Sequence, residues 1–119
     1  MNIEERNKLT NQFLDRCREI MDQKGRQYNR NGDDSFANFR EMAEDEDPNL
    51  PEIMRIRLAI YRTYKRKQGI VTAWCKGEIP FILDVEDALC DSSNYPALLW
   101  VTRIMEVEEE KRMRRDAAV

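Results

Sequence analysis

The sequence predicts an all-α protein, one domain built as a four-helix bundle with a short second helix and a long C-terminal helix. Apolar residues recur at intervals of three and four along most of the 119 residues, and no segment alternates apolar and polar residues as a strand would. Hydrophobic residues make up 41% of the chain and charged residues 36%, a balance typical of amphipathic helices with a charged outer face. The length suits a single domain spanning residues 1 to 119.

The first helix is predicted over residues 3 to 28. Its buried stripe is expected to continue through Lys24 and Tyr28, so that a lysine interrupts an otherwise apolar face. The apolar members of the stripe are Leu9, Phe13, Cys17, Ile20 and Met21.

A turn-rich loop, Asn-Arg-Asn-Gly-Asp-Asp at 29 to 34, separates the first helix from the second. Asp34 or Ser35 is expected to cap a short helix that ends near Glu46, because short oxygen-bearing side chains satisfy the free amides of a first turn. The residues predicted to face inward are Phe36, Phe39 and Ala43.

The third helix is predicted from about 51 to 75, with Asn49 or Leu50 in the cap region and Pro51 in the first turn. Dense positive charge covers its other face. The buried stripe is predicted to contain Ile53, Ile56, Ile60, Tyr64, Val71 and Trp74.

Gly77 and Pro80 are expected to break the chain before the fourth helix, which Asp84 would cap, with Asp87 completing a variant of the capping box. Pro96 should kink that helix, since proline removes one ladder donor and crowds the preceding turn. From about 106 to 119 the helix is almost wholly charged, and we expect a solvated tail with a frayed end.

The amino-acid composition excludes several kinds of catalytic and metal site. The chain has no histidine, which excludes Ser-His-Asp and Cys-His catalysis and leaves oxygen as the metal ligand. Its three cysteines lie far apart in predicted helices and are expected to be reduced residues of the core. A net charge of −3 makes nucleic acid an improbable partner. With no spanning segment and no signal-peptide layout at the start, we expect no membrane association and a cytoplasmic location.

The sharpest pattern is the acidic stretch that opens the fourth helix. At about 100° per residue, Asp84, Asp87, Asp91 and Asn94 share one face. Carboxylates on one stripe repel each other unless a cation or a basic partner neutralises them, and hard oxygen ligands suit Mg²⁺ or Mn²⁺. The alternative is that Asp84 and Asp87 only favour the helix N-terminus while Asp91 faces water.

Basic and aromatic side chains supply a second set of candidates. Lys24 and Tyr28 lie one turn apart, where an ammonium and a phenol would reach phosphate oxygens or a base edge, unless Lys24 extends to the surface. Cations of the third helix would neutralise phosphates near the acidic helix or would merely form its polar side. These are Arg62, Lys65 and Lys67.

Three motifs occur in order: Lys24-x-x-x-Tyr28, Ser35-x-x-Asn38-Phe39 and Glu86-Asp87-x-x-x-Asp91-x-x-Asn94-Tyr95. Together, over roughly residues 10 to 105, they resemble a small phage and bacterial family of nucleotide-modification-associated proteins. That family is similar to the all-α nucleoside-triphosphate pyrophosphatases, which include MazG-like enzymes and dimeric dUTPases. The resemblance implies a Mg²⁺-dependent nucleotide pyrophosphohydrolase that acts as a homo-oligomer.

The resemblance also implies residue roles. Asp87 and Asp91 would hold Mg²⁺, and Glu86 would either assist from the flank or act as general base. Lys24, Tyr28 and Asn38 would orient the nucleotide, and Tyr95 would either stack on the base or pack in the core. The candidate nucleotide-binding residues are thus Lys24, Tyr28, Asn38, Asn94 and Tyr95, together with Arg62 and Lys65, which their charge suggests.

The chain departs from the family pattern in one respect. The Glu-x-x-Glu pair of the superfamily is matched only by Glu41 and Glu44, about forty residues before Asp87, which is too far for the usual helical hairpin. The metal site is therefore either completed through another topology or incomplete. A non-catalytic nucleotide-binding or sequestering protein, such as a phage counter-defence factor, is the alternative. A further alternative is a helical interaction module that contacts a host or phage protein through Trp74, Trp100 and the C-terminal helix.

Overall fold

The computed structural model describes residues 1–28, 34–78 and 81–118, and confirms the all-α prediction. Helix α1 spans Ile3–Tyr28, α2 spans Ala37–Met42 and continues as a 3₁₀ turn at Ala43–Asp45, α3 spans Glu52–Cys75 and α4 spans Ile82–Ala117. No strand occurs in these described segments. The loop predicted at 29 to 34 lies outside them except for Asp34, and so does the break predicted at Pro80.

The core lies where α2 and α3 pack against the middle of α4. Phe36, Phe39 and Ala43 are buried as predicted, and they meet Ile56 and Ile60 of α3. The side chains of α4 that pack on this cluster are Tyr95, Leu98, Leu99, Val101 and Met105. The short second helix is therefore held against the core mainly by two buried aromatic rings, those of Phe36 and Phe39.

A polar contact joins α3 and α4 beyond this core. Thr102 is fully buried, and its hydroxyl accepts a hydrogen bond of 3.0 Å from the Arg57 guanidinium. The same guanidinium donates to Glu106 at 3.0 Å. The contact satisfies a buried hydroxyl and ties the beginning of the charged segment of α4 to α3.

The helix ends partly follow the prediction. Gly77 ends α3 with φ of +78°. Its amide donates to the Trp74 carbonyl, and the Glu78 amide donates to that of Ala73. This is the hydrogen-bond pattern of a Schellman ending, which needs the left-handed conformation that glycine adopts most easily.

The predicted caps of α3 and α4 are wrong. Pro51, not Asn49 or Leu50, precedes α3. Phe81 precedes α4, so Asp84 already lies within its first turn and does not cap it. Extended backbone at Pro51 and Phe81 ends each connection, with no capping side chain in either case. Asp84 still lies near the positive end of the helix dipole.

Several residues predicted to be buried are exposed instead. Leu9 and Phe13 are 51% and 36% exposed, and Phe13 only borders a groove that it shares with Leu89 of α4. Trp74 is 42% exposed, and Cys75 is also exposed, because the last turn of α3 extends past the core. The other two cysteines, Cys17 and Cys90, are buried and reduced as predicted.

Helix α4 continues without interruption past Pro96 and through the charged segment to Ala117. Ion pairs one turn apart line its outer face, among them Lys111 with Glu108 at 3.7 Å. None of the described helices has an apolar window long enough to cross a bilayer. The long helices give the molecule an elongated shape, with principal extents of 61 × 33 × 27 Å.

Candidate functional site

Four charged side chains from three helices meet beside the core, and we call them the charged cluster: Lys24 of α1, Lys67 of α3, and Asp87 and Asp91 of α4. The Lys24 ammonium donates to Asp87 and to Asp91, each at 3.1 Å. The Lys67 ammonium donates to Asp87 at 2.9 Å and lies 3.4 Å from Asp91. Each carboxylate is thus shared by both ammonium groups, and the cluster is neutral as a whole.

Local helix geometry explains why these groups converge. Asp87 and Asp91 are four residues apart on α4, so their side chains project from one face. That face is turned toward α1 and α3 because the apolar residues beside it belong to the core. The lysines approach from two other helices. Their positive charges remove the repulsion that was predicted between the two carboxylates.

Burial differs within the charged cluster. The Asp91 side chain is 3% exposed, whereas that of Asp87 is 41% exposed. Burial alone would raise the pKa of Asp87, but the hydrogen bonds from Lys67 and Lys24 outweigh it and hold the pKa below its usual value. Burial would likewise lower the pKa of Lys24, but the hydrogen bonds that its ammonium donates to Asp87 and Asp91 outweigh this and raise the pKa. Lys24, Lys67 and Asp87 are therefore charged near neutral pH.

A cavity of about 70 Å³, which we call the central cavity, opens beside the charged cluster between α1, α2 and α4. Its surface is mostly apolar, with a few polar groups. Lys24 and Asp91 belong to both the central cavity and the charged cluster. The remaining lining residues are Met21, Gly25, Tyr28, Ser35, Asn38, Phe39, Asn94, Tyr95 and Leu98.

Asn94 and Asn38 are the two amide side chains of the central cavity. Asn94 is 7% exposed, and its amide nitrogen donates to the Cys17 carbonyl at 2.8 Å. This bond fixes the amide, and its oxygen accepts no hydrogen bond from the described residues. Asn38 is half-buried and makes no side-chain hydrogen bond within the same residues. Both amides thus retain hydrogen-bonding capacity for a polar ligand edge.

Aromatic rings supply the flat surfaces of the central cavity. Tyr95 meets Phe39 edge to face, with ring centroids 6.1 Å apart and an interplanar angle of 86°. Burial raises the pKa of the Tyr95 hydroxyl, and the nearby Asp91 carboxylate raises it further, so the phenol stays protonated. Tyr28 lies at the outer side, 55% exposed. Aromatic rings next to a few polar side chains are typical of small-molecule pockets.

Comparison with known proteins adds no relative. No protein-family model matches the chain, and no curated protein or solved structure is significantly similar to it. The resemblance to the pyrophosphatase superfamily therefore stays a prediction from its motifs.

The residues predicted to bind Mg²⁺ do not form a convincing metal site. Among the described residues, no group of three or more acidic or cysteine side chains is placed to hold a metal ion. Glu41 and Glu44 are exposed on α2 and the 3₁₀ turn and are not grouped with Asp87 and Asp91. Those two carboxylates are already neutralised by ammonium groups, so a cation would have to displace both lysines. The donor set does not fit a dedicated Mg²⁺ site.

The other predicted site residues lie apart from the central cavity. Arg62 forms an ion pair with Glu46, on the outer face of α3. Lys65 lines an open groove between α3 and α4 together with Lys76. Glu86, the predicted general base, is exposed and lies beside Phe13 in a different groove. The predicted base therefore does not line the central cavity, although it shares its groove with Asp87.

Lys67 is the member of the charged cluster that the sequence motifs did not identify. It appeared only as one of several cations on α3, and its spacing did not distinguish it from Lys65 or Arg66. What distinguishes it is its contact with Asp87, twenty residues away on another helix. Met21 and Leu98 line the central cavity as well, and a single apolar residue of a helix gives no sequence signal for such a role.

Proposed function

We propose that the protein binds a nucleotide, with the base ring in the central cavity. The observation that supports this is the convergence of residues from three helices, all of them expected from their motifs to contact a nucleotide, on one cavity. They are Lys24, Tyr28, Asn38, Asn94 and Tyr95. The two amides beside the aromatic rings retain donors and acceptors that the edge of a base can use.

The size and charge of the central cavity define the binding mode. A volume of about 70 Å³ is far below the roughly 300 to 1,000 Å³ of pockets that enclose a whole small ligand. It admits part of a ring, so sugar and phosphates lie outside it. The charged cluster carries no net charge at neutral pH, so it offers phosphates little net attraction. Affinity should therefore depend more on the base than on the number of phosphates.

Calorimetric titration with nucleosides, nucleoside triphosphates and inorganic triphosphate tests this proposal. Nucleosides and nucleotides should bind with similar affinity, and inorganic triphosphate should not compete with them. Asn38→Ala should weaken binding about tenfold, the effect of one lost hydrogen bond in a partly buried site. Asn11→Ala makes the same replacement on an exposed position of α1 and should change nothing.

Two results would contradict nucleotide binding at this site. One is the absence of heat or competition with every nucleoside and nucleotide offered. The other is equal behaviour of Asn38→Ala and Asn11→Ala, since binding would then occur away from the central cavity. Preferential binding of inorganic triphosphate would contradict the base-directed mode.

Hydrolysis of the bound nucleotide is the second candidate function, and one observation favours it. Asp87 is 41% exposed and belongs to the charged cluster that borders the central cavity, so a carboxylate is accessible near the phosphates of a bound nucleotide. Incubation with a nucleotide panel and Mg²⁺, followed by measurement of phosphate and pyrophosphate, separates the two functions. Recovery of intact nucleotide from wild-type protein would favour sequestration. Turnover that Asp87→Ala and Asp91→Ala abolish would favour a hydrolase.

The cellular setting follows the same proposal. A nucleotide-binding protein with no membrane-spanning helix among its described residues would act in the cytoplasm, and in the host cytoplasm if a phage encodes it. Sequestration of a nucleotide signal would suit a counter-defence role. We also propose that the protein is a homo-oligomer.

A further inference from the structure

The first half of α1 presents an apolar face that the other described residues leave largely uncovered. Every residue from Met1 to Arg16 is exposed. Ile3, Leu9 and Leu14 are 67%, 51% and 40% exposed, and Phe13 is 36% exposed. We call these four residues the α1 surface.

The α1 surface continues the stripe by which the second half of the helix packs. Cys17 is buried beside α4, and Met21 lines the central cavity. At about 100° per residue, Ile3, Leu9, Phe13 and Leu14 fall within an arc of roughly 140° that also contains Cys17 and Met21. The apolar face of the helix therefore extends about four turns beyond the part that α4 covers.

A helical segment of this length gains little stability from its own hydrogen bonds. Isolated helices shorter than about 12 to 15 residues are marginal in water, and most helical stability in proteins comes from packing of the apolar face. The exposed segment has about that length. Among the described residues, little packs against the apolar face of this helical segment.

The total accessible surface also indicates that the chain buries less of its surface than a compact monomer does. The chain of 14.2 kDa has an accessible surface of 9041 Å², whereas a compact monomer of this mass exposes about 6,800 Å². Its radius of gyration is 17.6 Å, against about 13.5 Å for a compact domain of this length. The surplus of roughly 2,200 Å², summed over the whole chain, exceeds the about 800 Å² that each partner buries in a standard interface.

The charges around the α1 surface suit a second copy of the same chain. Residues 1 to 16 of the chain include three acidic and three basic residues, so this segment has no net side-chain charge. In a two-fold interface the same patch meets itself, and a strongly charged patch would repel its copy. A balanced segment avoids that repulsion. The acidic members are Glu4, Glu5 and Asp15, and the basic ones Arg6, Lys8 and Arg16.

We infer that two copies of the chain associate through the α1 surface, each covering the exposed half of the other's first helix. This assignment goes beyond the homo-oligomer proposed above because it names the surface. It requires no ligand, so it can fail while nucleotide binding holds, and the reverse is also true.

Sedimentation velocity across a dilution series of the full chain tests the assignment. The wild-type protein should sediment as a dimer that dissociates on dilution. Leu9→Lys and Leu14→Lys should each raise the dissociation constant at least about tenfold, because each places a charge at the centre of an apolar interface. Trp100→Lys is the control, because Trp100 is 65% exposed on α4 and lies outside the α1 surface. It should leave the dissociation constant unchanged.

Three outcomes would overturn the assignment. The first is a wild-type chain that stays monomeric at every concentration. The second is a dimer that neither leucine variant weakens. The third is a dimer that Trp100→Lys dissociates while the leucine variants do not. Each variant is checked for cooperative thermal unfolding, and Leu9→Ala replaces any lysine variant that lacks it, with the same direction of change expected.

Discussion

The charged cluster allows a quantitative comparison of two aspartates that contact the same lysines. Asp91→Asn and Asp87→Asn each remove one negative charge that lies against the same two ammonium groups. The Asp91 side chain is 3% exposed and that of Asp87 41%, so water can replace the second carboxylate but not the first. We therefore expect Asp91→Asn to lower the free energy of unfolding considerably more than Asp87→Asn.

The magnitudes follow from burial. Removing one partner of a fully buried ion pair costs about 3 to 5 kcal/mol, because the remaining charge is left uncompensated. The two lysine side chains are 32% and 27% exposed, so both ammonium groups can turn partly toward water. We discount the cost of Asp91→Asn to about 2 to 3 kcal/mol for this reason. For the more exposed Asp87 the cost should be about 0.5 to 1 kcal/mol.

Urea unfolding followed by circular dichroism measures both values, at one protein concentration because association adds to stability. Thermal unfolding gives a second measure. At about 3 to 6 °C per kcal/mol for a chain of this size, Asp91→Asn should lower the Tm by about 10 °C and Asp87→Asn by about 3 °C. Equal losses for the two variants, or a loss below about 1 kcal/mol for Asp91→Asn, would refute the argument that burial decides the cost.

Three further predictions concern pH, thiols and glycines. Although burial would raise the pKa of Asp87, hydrogen bonds from the lysines lower it, so its contribution to stability is complete above its unfolded pKa of about 3.9 and is lost as the pH falls through the folded pKa. Asp87→Asn should therefore flatten the acid side of a plot of unfolding free energy against pH. Burial, with a neighbouring thiol, raises the pKa of Cys90 to about 11, so a thiol reagent should modify the exposed Cys75 first and reach Cys90 only on unfolding, as mass spectrometry of the labelled peptides can show. Both Gly69 and Gly77 have open space for an added methyl group. Gly69→Ala should stabilise α3 by about 0.5 to 1 kcal/mol, whereas Gly77→Ala should destabilise the protein by about 1 kcal/mol or more because of its positive φ. In chemical denaturation the two changes in unfolding free energy should have opposite signs.

The motifs named several residues that line the central cavity, although they did not predict the cavity itself. Motif spacing placed Asn94 and Tyr95 on one helix and Lys24 and Tyr28 on another, and each pair keeps its face when the helices pack. The metal prediction relied on Asp87 and Asp91 sharing a face, which they do. It left open what neutralises them, because the answer depends on a lysine of a different helix.

The sequence by itself determined the helices, since periodicity, a glycine at a helix end and the lack of strand alternation are local properties. It also determined that Phe36, Phe39 and Ala43 face inward, because their spacing allows one buried stripe on a short helix. It did not determine which part of a long stripe is covered. Leu9 and Cys17 belong to the same periodic pattern, yet one is exposed and the other buried. Only the tertiary structure decided this difference, as it decided the neutralisation of Asp91, because both depend on where a second helix crosses the first.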